Sequence, residues 1–520
     1  MTDNANETPP TALPLYDWQA NTLLAATVSL DSQWLIPQAD LAHSSIDGQD
    51  NSNIDSLPTN PINVKPFNDI SETAALSLSS TRIITDTRQL QAGDIFLALA
   101  GENFDGHDYI ESATAKGAIA AIVSRPTATR IPQLQVSDTR LALGQLAAYR
   151  RQQHPNIKIV ALTGSSGKTT CKEMLGSIFG RLAPTLITRG NLNNDLGAPM
   201  TLLELSDQHQ YAIIELGANH VGEIAYTADL VQPEVACVLN VGTAHLGEFG
   251  SRERICQAKA EIYQPLSQQQ YAIVPDEDDF ASELRQVAQR YTHHILGFGS
   301  SDITASAIKI TADASEFKLH IRDQTCDIKL PLAGEHNVTN ALAAAACATA
   351  LGIAISDIAA GLNQASPAKG RLTSIMLGEH RLIDDTYNAN PHSVRAAASV
   401  LAAQSGTRIM VLGDIAELGE SSAREHHSLG RSIAESDIDM LLCVGDFATD
   451  SVAGAAEVGG IYAKAFNDKT LLLEYLQDYL NGRLSSLDGS SAPQLQPSTL
   501  LFKGSRSAQM ETLIAALLEE

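Results

Sequence analysis

The chain has 520 residues, and its 35 Lys and Arg against 60 Asp and Glu leave a formal charge of −25 at pH 7. That balance excludes a broad binder of nucleic acid or of anionic membrane, while leaving room for a small basic pocket that takes phosphates. Hydrophobic residues make up 44%, ample for several packed cores, and the length predicts about three or four domains.

In chain order, the opening MTDNANETPP carries neither the basic nor the apolar stretch of a signal peptide. WQANTLLAAT predicts a short helix. Residues 40–70, rich in Asn, Ser, Asp and Pro, read as a disordered insertion. DIFLALAG and GAIAAIVS, with HDYIESATAK between them, predict a small α/β unit that ends near residue 136.

The middle region, 137–367, reads as a doubly wound, mainly parallel sheet. IKIVALTG, YAIIELGA and VACVLNVG are continuous apolar runs of the kind buried on both faces. Residues 303–332 instead alternate, as antiparallel strands do. The longest apolar run, 341–355, is Ala-rich and shorter than the ~18 residues of a membrane span, so a buried helix is expected there. A third region, 368–520, repeats the α/β alternation: RLIDDTY, TRIMVLGD, DMLLCVGD and STLLFKGS predict a Rossmann-like unit. Cys171, Cys237, Cys256, Cys326, Cys347 and Cys443 form no C-x-x-C pair, so neither zinc nor a disulfide framework is indicated and a reduced cytoplasm fits.

The chemistry begins at ALTGSSGKTT. It lacks the first glycine of the common G-x-x-x-x-G-K-[ST] loop, because Leu162 stands there. The strand–loop–helix setting still predicts a phosphate nest. Gly164, Ser165, Ser166 and Gly167 form its turn, and Lys168, Thr169 and Thr170 open the helix. Lys168 would neutralise β/γ-phosphates and the Thr169 hydroxyl would ligate Mg²⁺. Glu215, at the end of the next strand, is a natural second ligand beside such a loop. His245 and Lys259 follow; taken alone, each reads as an ordinary structural or solvated residue.

TGSSGKTT, GNLNNDLGAPMTLL, ELGANHVGEI, TAHLGEFGS, AKAEI, GEHNVTNALAAAA, DDTYNANPHS, VLGDIAELG and LFKGSRS occur in the order of the Mur ligases, and the chain resembles that family from about Thr85 to Met510. The family loop is T-G-x-x-G-K-[ST], without the first glycine. The resemblance implies a three-domain cytoplasmic monomer of peptidoglycan synthesis: a UDP-substrate domain, an ATP-binding domain and a closing third domain. It implies an ATP-dependent amide ligase, most similar to the members that join D-alanyl-D-alanine to a UDP-N-acetylmuramoyl-tripeptide. Its partners would then be small molecules, without nucleic acid or membrane embedding.

The resemblance also implies residue roles. Thr169 and Glu215 would surround one Mg²⁺; His245 and a CO₂-carbamylated Lys259 would surround a second. Asn337 and Asn340 would meet adenine, although helix capping by Asn337 is an equal reading. Arg371 would reach the phosphates and Asp385 the ribose and phosphates. Thr87 and Arg88, with Glu102, Asn103 and Phe104, fall on the uridine-nucleotide stretches. Asn191 and Asn193 would hold the muramoyl or peptide part, against a reading of tight turns. Lys503 and Arg506 are candidates for the D-Ala-D-Ala carboxylate. Three alternatives carry weight. Folylpolyglutamate synthase shares the loop type, but that family begins close to its loop, whereas about 135 residues forming an expected extra domain precede the central region here. A sibling ligase adding the third amino acid would carry a D-N-P-R motif, and this chain has YNANPHS instead. A nucleotide-switch or motor ATPase would place an Asp where Glu215 stands.

Overall fold

The computed structural model describes residues 17–37, 64–67, 78–101, 104–483 and 497–519. Its contacts divide the chain into two compact units, Met1–Ile157 with Asn191–Ala212, and Lys158–Gly190 with Ile213–Glu520.

The first unit holds a six-stranded sheet in the order Val64–Phe67, Gln33–Pro37, Gln133–Gln135, Ala120–Val123, Ile95–Leu97, Ile83–Ile84. The first two pairings are antiparallel and the rest parallel. Trp18, Leu23, Trp34, Ile122, Leu143 and Leu146 belong to its main core. The last two come from the helix Thr139–Gln152, which starts where the Asp138 carboxylate accepts from the N–H groups of Arg140 and Leu141. The sequence reading ended this region at 136. The compact unit runs on through Ile157 and also takes in Asn191–Ala212, and Leu143 and Leu146 of that helix share one core cluster with Trp18 and Trp34. The expectation of disorder over 40–70 is corrected in part. Val64–Phe67 is an edge strand paired with Gln33–Pro37, and the remainder of 40–70 lies outside the described residues.

The second unit contains two sheets. One has nine strands, ordered Thr185–Ile187, Tyr211–Glu215, Lys158–Thr163, Val235–Val238, Tyr271–Pro275, His294–Gly299, Ile303–Ile310, Ser315–Ile321, Gln324–Leu330. Lys158–Thr163 lies in the interior of its parallel part, and all its residues after Lys158 are buried. The last three strands are antiparallel, and Ser315–Ile321 alternates between core and surface as its sequence predicts. The Ala-rich run forms the buried helix Glu335–Ala350; among the described residues no helix is long and apolar enough to cross a membrane.

The other sheet has six strands, ordered Thr373–Leu377, His380–Asp385, Ser498–Lys503, Thr407–Gly413, Met440–Val444, Tyr462–Phe466. Only its first pairing is antiparallel. Asp385 and Lys503 end neighbouring parallel strands, at the edge where open α/β sheets bind ligands.

Candidate active site

A cavity of about 470 Å³ in the second unit is lined by Ser165–Thr170 on one side and by Arg371, Asp385, Asn390 and Glu417 on the other. The loop at its floor is shaped from behind by Asn240. The Asn240 side chain accepts from the Ser166 N–H at 3.0 Å and donates back to the Ser166 carbonyl at 3.1 Å. The Ser165 hydroxyl accepts from the Gly242 N–H at 2.9 Å. Gly167 then turns the chain at φ 80°, and the helix Lys168–Gly180 begins. The N–H groups of that first helical turn have no intrahelical acceptor, which makes the loop a nest for an anion. Leu162 is a buried residue of the strand, one before its last, Thr163.

Behind the loop, the Thr169 hydroxyl donates to Glu215 at 3.2 Å. Glu215 is 2% exposed, so its charge needs company. Lys172, one helical turn past Lys168, lies 3.9 Å from it and donates to the Thr188 carbonyl at 2.8 Å. The Arg371 guanidinium reaches Thr169 Oγ1 at 3.2 Å and stacks on Tyr387 at 4.6 Å. Lys168 folds onto the Gly164 carbonyl at 2.7 Å. Burial lowers its pKa, opposed by the attraction of Glu215.

Lys259 is 3% exposed, at the end of the helix Arg252–Ala260. Burial holds its amine well below the ordinary lysine value, and the nearby positive Lys168 adds to the effect. No carboxylate pairs with it among the described residues. His245 lies at the pocket wall, and its Nδ1 sits 2.6 Å from Glu417 Oε2, in an alignment short of a hydrogen bond. Nε of Arg371 is a second buried polar atom in this wall without a hydrogen-bond partner. No cluster of three or more His, Cys, Asp or Glu side chains is arranged around a metal among the described residues. The donor set still suits a divalent cation. It offers a hydroxyl and a carboxylate together, a nearby imidazole, and an amine that is easily kept neutral.

Beside the loop, Asn340 packs against Gly167, where an added Cβ would collide with its amide. Asn337 donates to the Ala333 carbonyl at 2.8 Å and accepts from Asn340 at 3.3 Å. The helix N-cap is Gly334, not Asn337, so the capping reading is set aside. Asp385 accepts from Lys503 at 2.5 Å; burial raises its pKa and Lys503 and Arg371 oppose that. Lys503 is 2% exposed and also donates to the Asn388 carbonyl at 3.2 Å. It therefore stands as the partner of Asp385 in this pocket wall. Arg506 is exposed and paired with Glu511 at 2.8 Å.

The remaining predicted residues lie in the first unit. The Thr87 carbonyl accepts from Lys116, Arg88 is exposed and paired with Asp86 at 2.7 Å, and Phe104 is 55% exposed. Glu102 and Asn103 lie outside the described residues. Asn191 and Asn193 sit in a tight turn, with the Asn193 N–H donating to the Asn191 carbonyl at 2.7 Å. Sequence reasoning missed Lys172, Asn240, His336, Asn390 and Glu417. Asn240, His336, Asn390 and Glu417 each stand in a stretch quoted above, in VACVLNVG, GEHNVTNALAAAA, DDTYNANPHS and VLGDIAELG; Lys172 does not.

Three family models match the chain: Mur ligase family, catalytic domain, over residues 80–151; Mur ligase middle domain over 162–348; and Mur ligase, glutamate ligase domain over 370–487. The chain is 44% identical over 440 residues to UDP-N-acetylmuramoyl-tripeptide–D-alanyl-D-alanine ligase of Escherichia coli (strain K12), covering 84% of this chain and 93% of that one. Among solved structures it is similar to MurF from Acinetobacter baumannii, at 48% identity and TM-score 0.83, covering 98% of this chain and 100% of that one. It is also similar to MurF ligase from Thermotoga maritima in complex with ADP, at 27% identity and TM-score 0.71, covering 84% and 97%.

Proposed function

The chain belongs to the Mur ligase family, and on that premise we propose that it is the ATP-dependent amide ligase that joins D-alanyl-D-alanine to UDP-N-acetylmuramoyl-tripeptide. The product is the pentapeptide precursor of peptidoglycan, released with ADP and phosphate. The observation that carries this reading is the pocket itself. It faces a glycine-poor phosphate loop, backed by Glu215 and His245, with an arginine from the second sheet.

The tripeptide carboxylate attacks the γ-phosphorus of ATP, the bond to ADP breaks, and an acyl phosphate forms. The acceptor amine then attacks the acyl carbon, loses a proton, and phosphate departs. Lys168 and the loop N–H groups bind the phosphates, and Arg371 approaches them from the other sheet, so the chain's work is alignment and charge neutralisation. Mg²⁺ held by Thr169 and Glu215, and a second ion by His245 and carbamylated Lys259, would spread the charge of the γ-phosphoryl group. Only a neutral amine adds to CO₂, and the depressed pKa of Lys259 supports that modification. Asn337 and Asn340 would read adenine, and Asp385 the ribose.

In the first unit, Thr87, Arg88 and Phe104 would take the uridine nucleotide, and Asn191 and Asn193 the muramoyl-peptide. The three-part division at 136/137 and 367/368 is proposed as the functional one. A cytoplasmic monomer acting on small molecules suits substrates of this kind.

A phosphate-release assay across UDP-sugar peptides and amines tests the reading. Release is expected only when ATP, the UDP-tripeptide and D-Ala-D-Ala are all present. Release with a UDP-dipeptide and a single diamino acid would favour the sibling ligase. Equal ATP turnover without either substrate would favour a switch or motor.

A further inference from the structure

VLGDIAELG closes the strand Thr407–Gly413 and runs on into the loop after it, and so far has no role. Its loop is held firmly from behind. The Asp414 carboxylate accepts from the N–H groups of Asp446 at 2.7 Å and Phe447 at 3.1 Å. The Asp414 carbonyl accepts from the N–H and hydroxyl of Ser505. His426, 1% exposed, accepts from the Ile415 N–H at 3.0 Å, donates to the Ser422 carbonyl at 2.8 Å and stacks on Phe447 at 4.9 Å.

The fixed loop delivers Glu417 to the opposite wall. The Glu417 carbonyl accepts from the Gly247 N–H at 3.3 Å, and a Cβ on Gly247 would stand 3.1 Å from that oxygen. Glu417 and His245 both hold left-handed backbone conformations, at φ 65° and 58°. Such positions are uncommon for residues other than glycine and persist where the surroundings enforce them. Here the two strained residues meet side chain to side chain at 2.6 Å. The other ring nitrogen of His245 has no protein partner among the described residues.

We propose that Glu417 is a positioning residue for the ligation: it takes Nδ1 of His245 and thereby fixes the ring so that Nε2 is presented to a divalent cation. Ligating histidines commonly have their second nitrogen oriented by a carboxylate. Here that carboxylate comes from the other sheet, so the His245 site is complete only when the 414–418 loop is docked. The proposal rests on His245 being a cation ligand, and the test separates the two ideas.

Mn²⁺ binding in the presence of ADP is measured by calorimetry and electron paramagnetic resonance for the parent, H245A, E417A and E417Q, with thermal melts as the folding control. Glu417 is half exposed, so its variants are expected to fold. H245A should lose one bound Mn²⁺. E417A should weaken that same ion by about tenfold or more while sparing the other and ADP itself. E417Q, whose amide oxygen still accepts, should fall between E417A and the parent. If H245A binds Mn²⁺ like the parent, the ligand reading of His245 fails and the proposal with it. If H245A loses the ion and E417A does not weaken it, the proposal alone is overturned. Equal loss of ADP and both cations in E417A would make Glu417 a latch between the sheets and also overturn it.

Discussion

Lys259 is a buried amine with no carboxylate paired to it among the described residues, and the positive Lys168 lies near it. That combination is costly for an ammonium and harmless for a neutral amine, which is the physical content of its depressed pKa. His336 repeats the theme at the other end of the pocket. Burial draws its pKa down to about 4, and the charges of His392 and Lys503 push the same way. The unfolded chain titrates this group near 6.5, so between those values the unfolded state binds more protons. Stability contributed by the neutral ring is present above about pH 6.5 and is lost as pH falls toward 4. The ring is not wholly shielded from solvent, so the loss is set at about 2 kcal/mol rather than the full shift. Urea denaturation of the parent and of H336Q at pH 7 and pH 4.5 checks this. The variant should lose less stability than the parent over that interval, and parallel losses would remove His336 from the account.

At the scale of the element, the phosphate loop is short because other parts replace the missing glycine. Asn240 grips Ser166 by both its N–H and its carbonyl, and Gly167 makes the left-handed step into the helix. A G167A variant must hold alanine at φ 80°, a cost of roughly 1–2 kcal/mol. It must also displace Asn340, which is buried and bonded to Asn337. The expected outcome is a loss of ADP affinity of at least about tenfold, since 1.4 kcal/mol is already a factor of ten. Calorimetric titration reads it, and unchanged affinity would show that the loop tolerates a different turn.

The helix Lys168–Gly180 and the strands on either side were legible because apolar runs buried on both faces leave little choice of structure. Thr185–Ile187 and Val64–Phe67 were not; strands of three and four residues at a sheet edge are too short to impose a pattern. Tyr271–Pro275 and His294–Gly299 were also unread, since proline and glycine in a run argue against a strand. Lys172 looked like any solvated helix lysine until the packing of Thr188 and Glu215 around it was known. The Glu417–His245 contact joins loops of two different sheets, which no local pattern records. Lys168, Thr169 and Glu215 were legible because strand ends and a helix start fix where side chains must converge. Lys259 was singled out only through the family resemblance.

Across the molecule, the two compact units have separate cores. Each residue lining the candidate nucleotide pocket belongs to the second unit. Binding stabilises what it touches: ligand at 100 times its dissociation constant adds about 2.7 kcal/mol to the state that holds it. Mg·ADP should therefore slow amide hydrogen exchange in Val235–Val238 and Ser498–Lys503. Ala120–Val123, in the first unit, should exchange as before. Mass spectrometry of exchanged peptides resolves these strands individually. Equal protection of all three would mean that the units open as one cooperative body, whereas protection confined to the second unit would place the nucleotide's binding energy there. A UDP-sugar peptide added alone should then do the converse. It should protect Ala120–Val123 first, because Arg88, Phe104 and Asn191 all belong to the first unit.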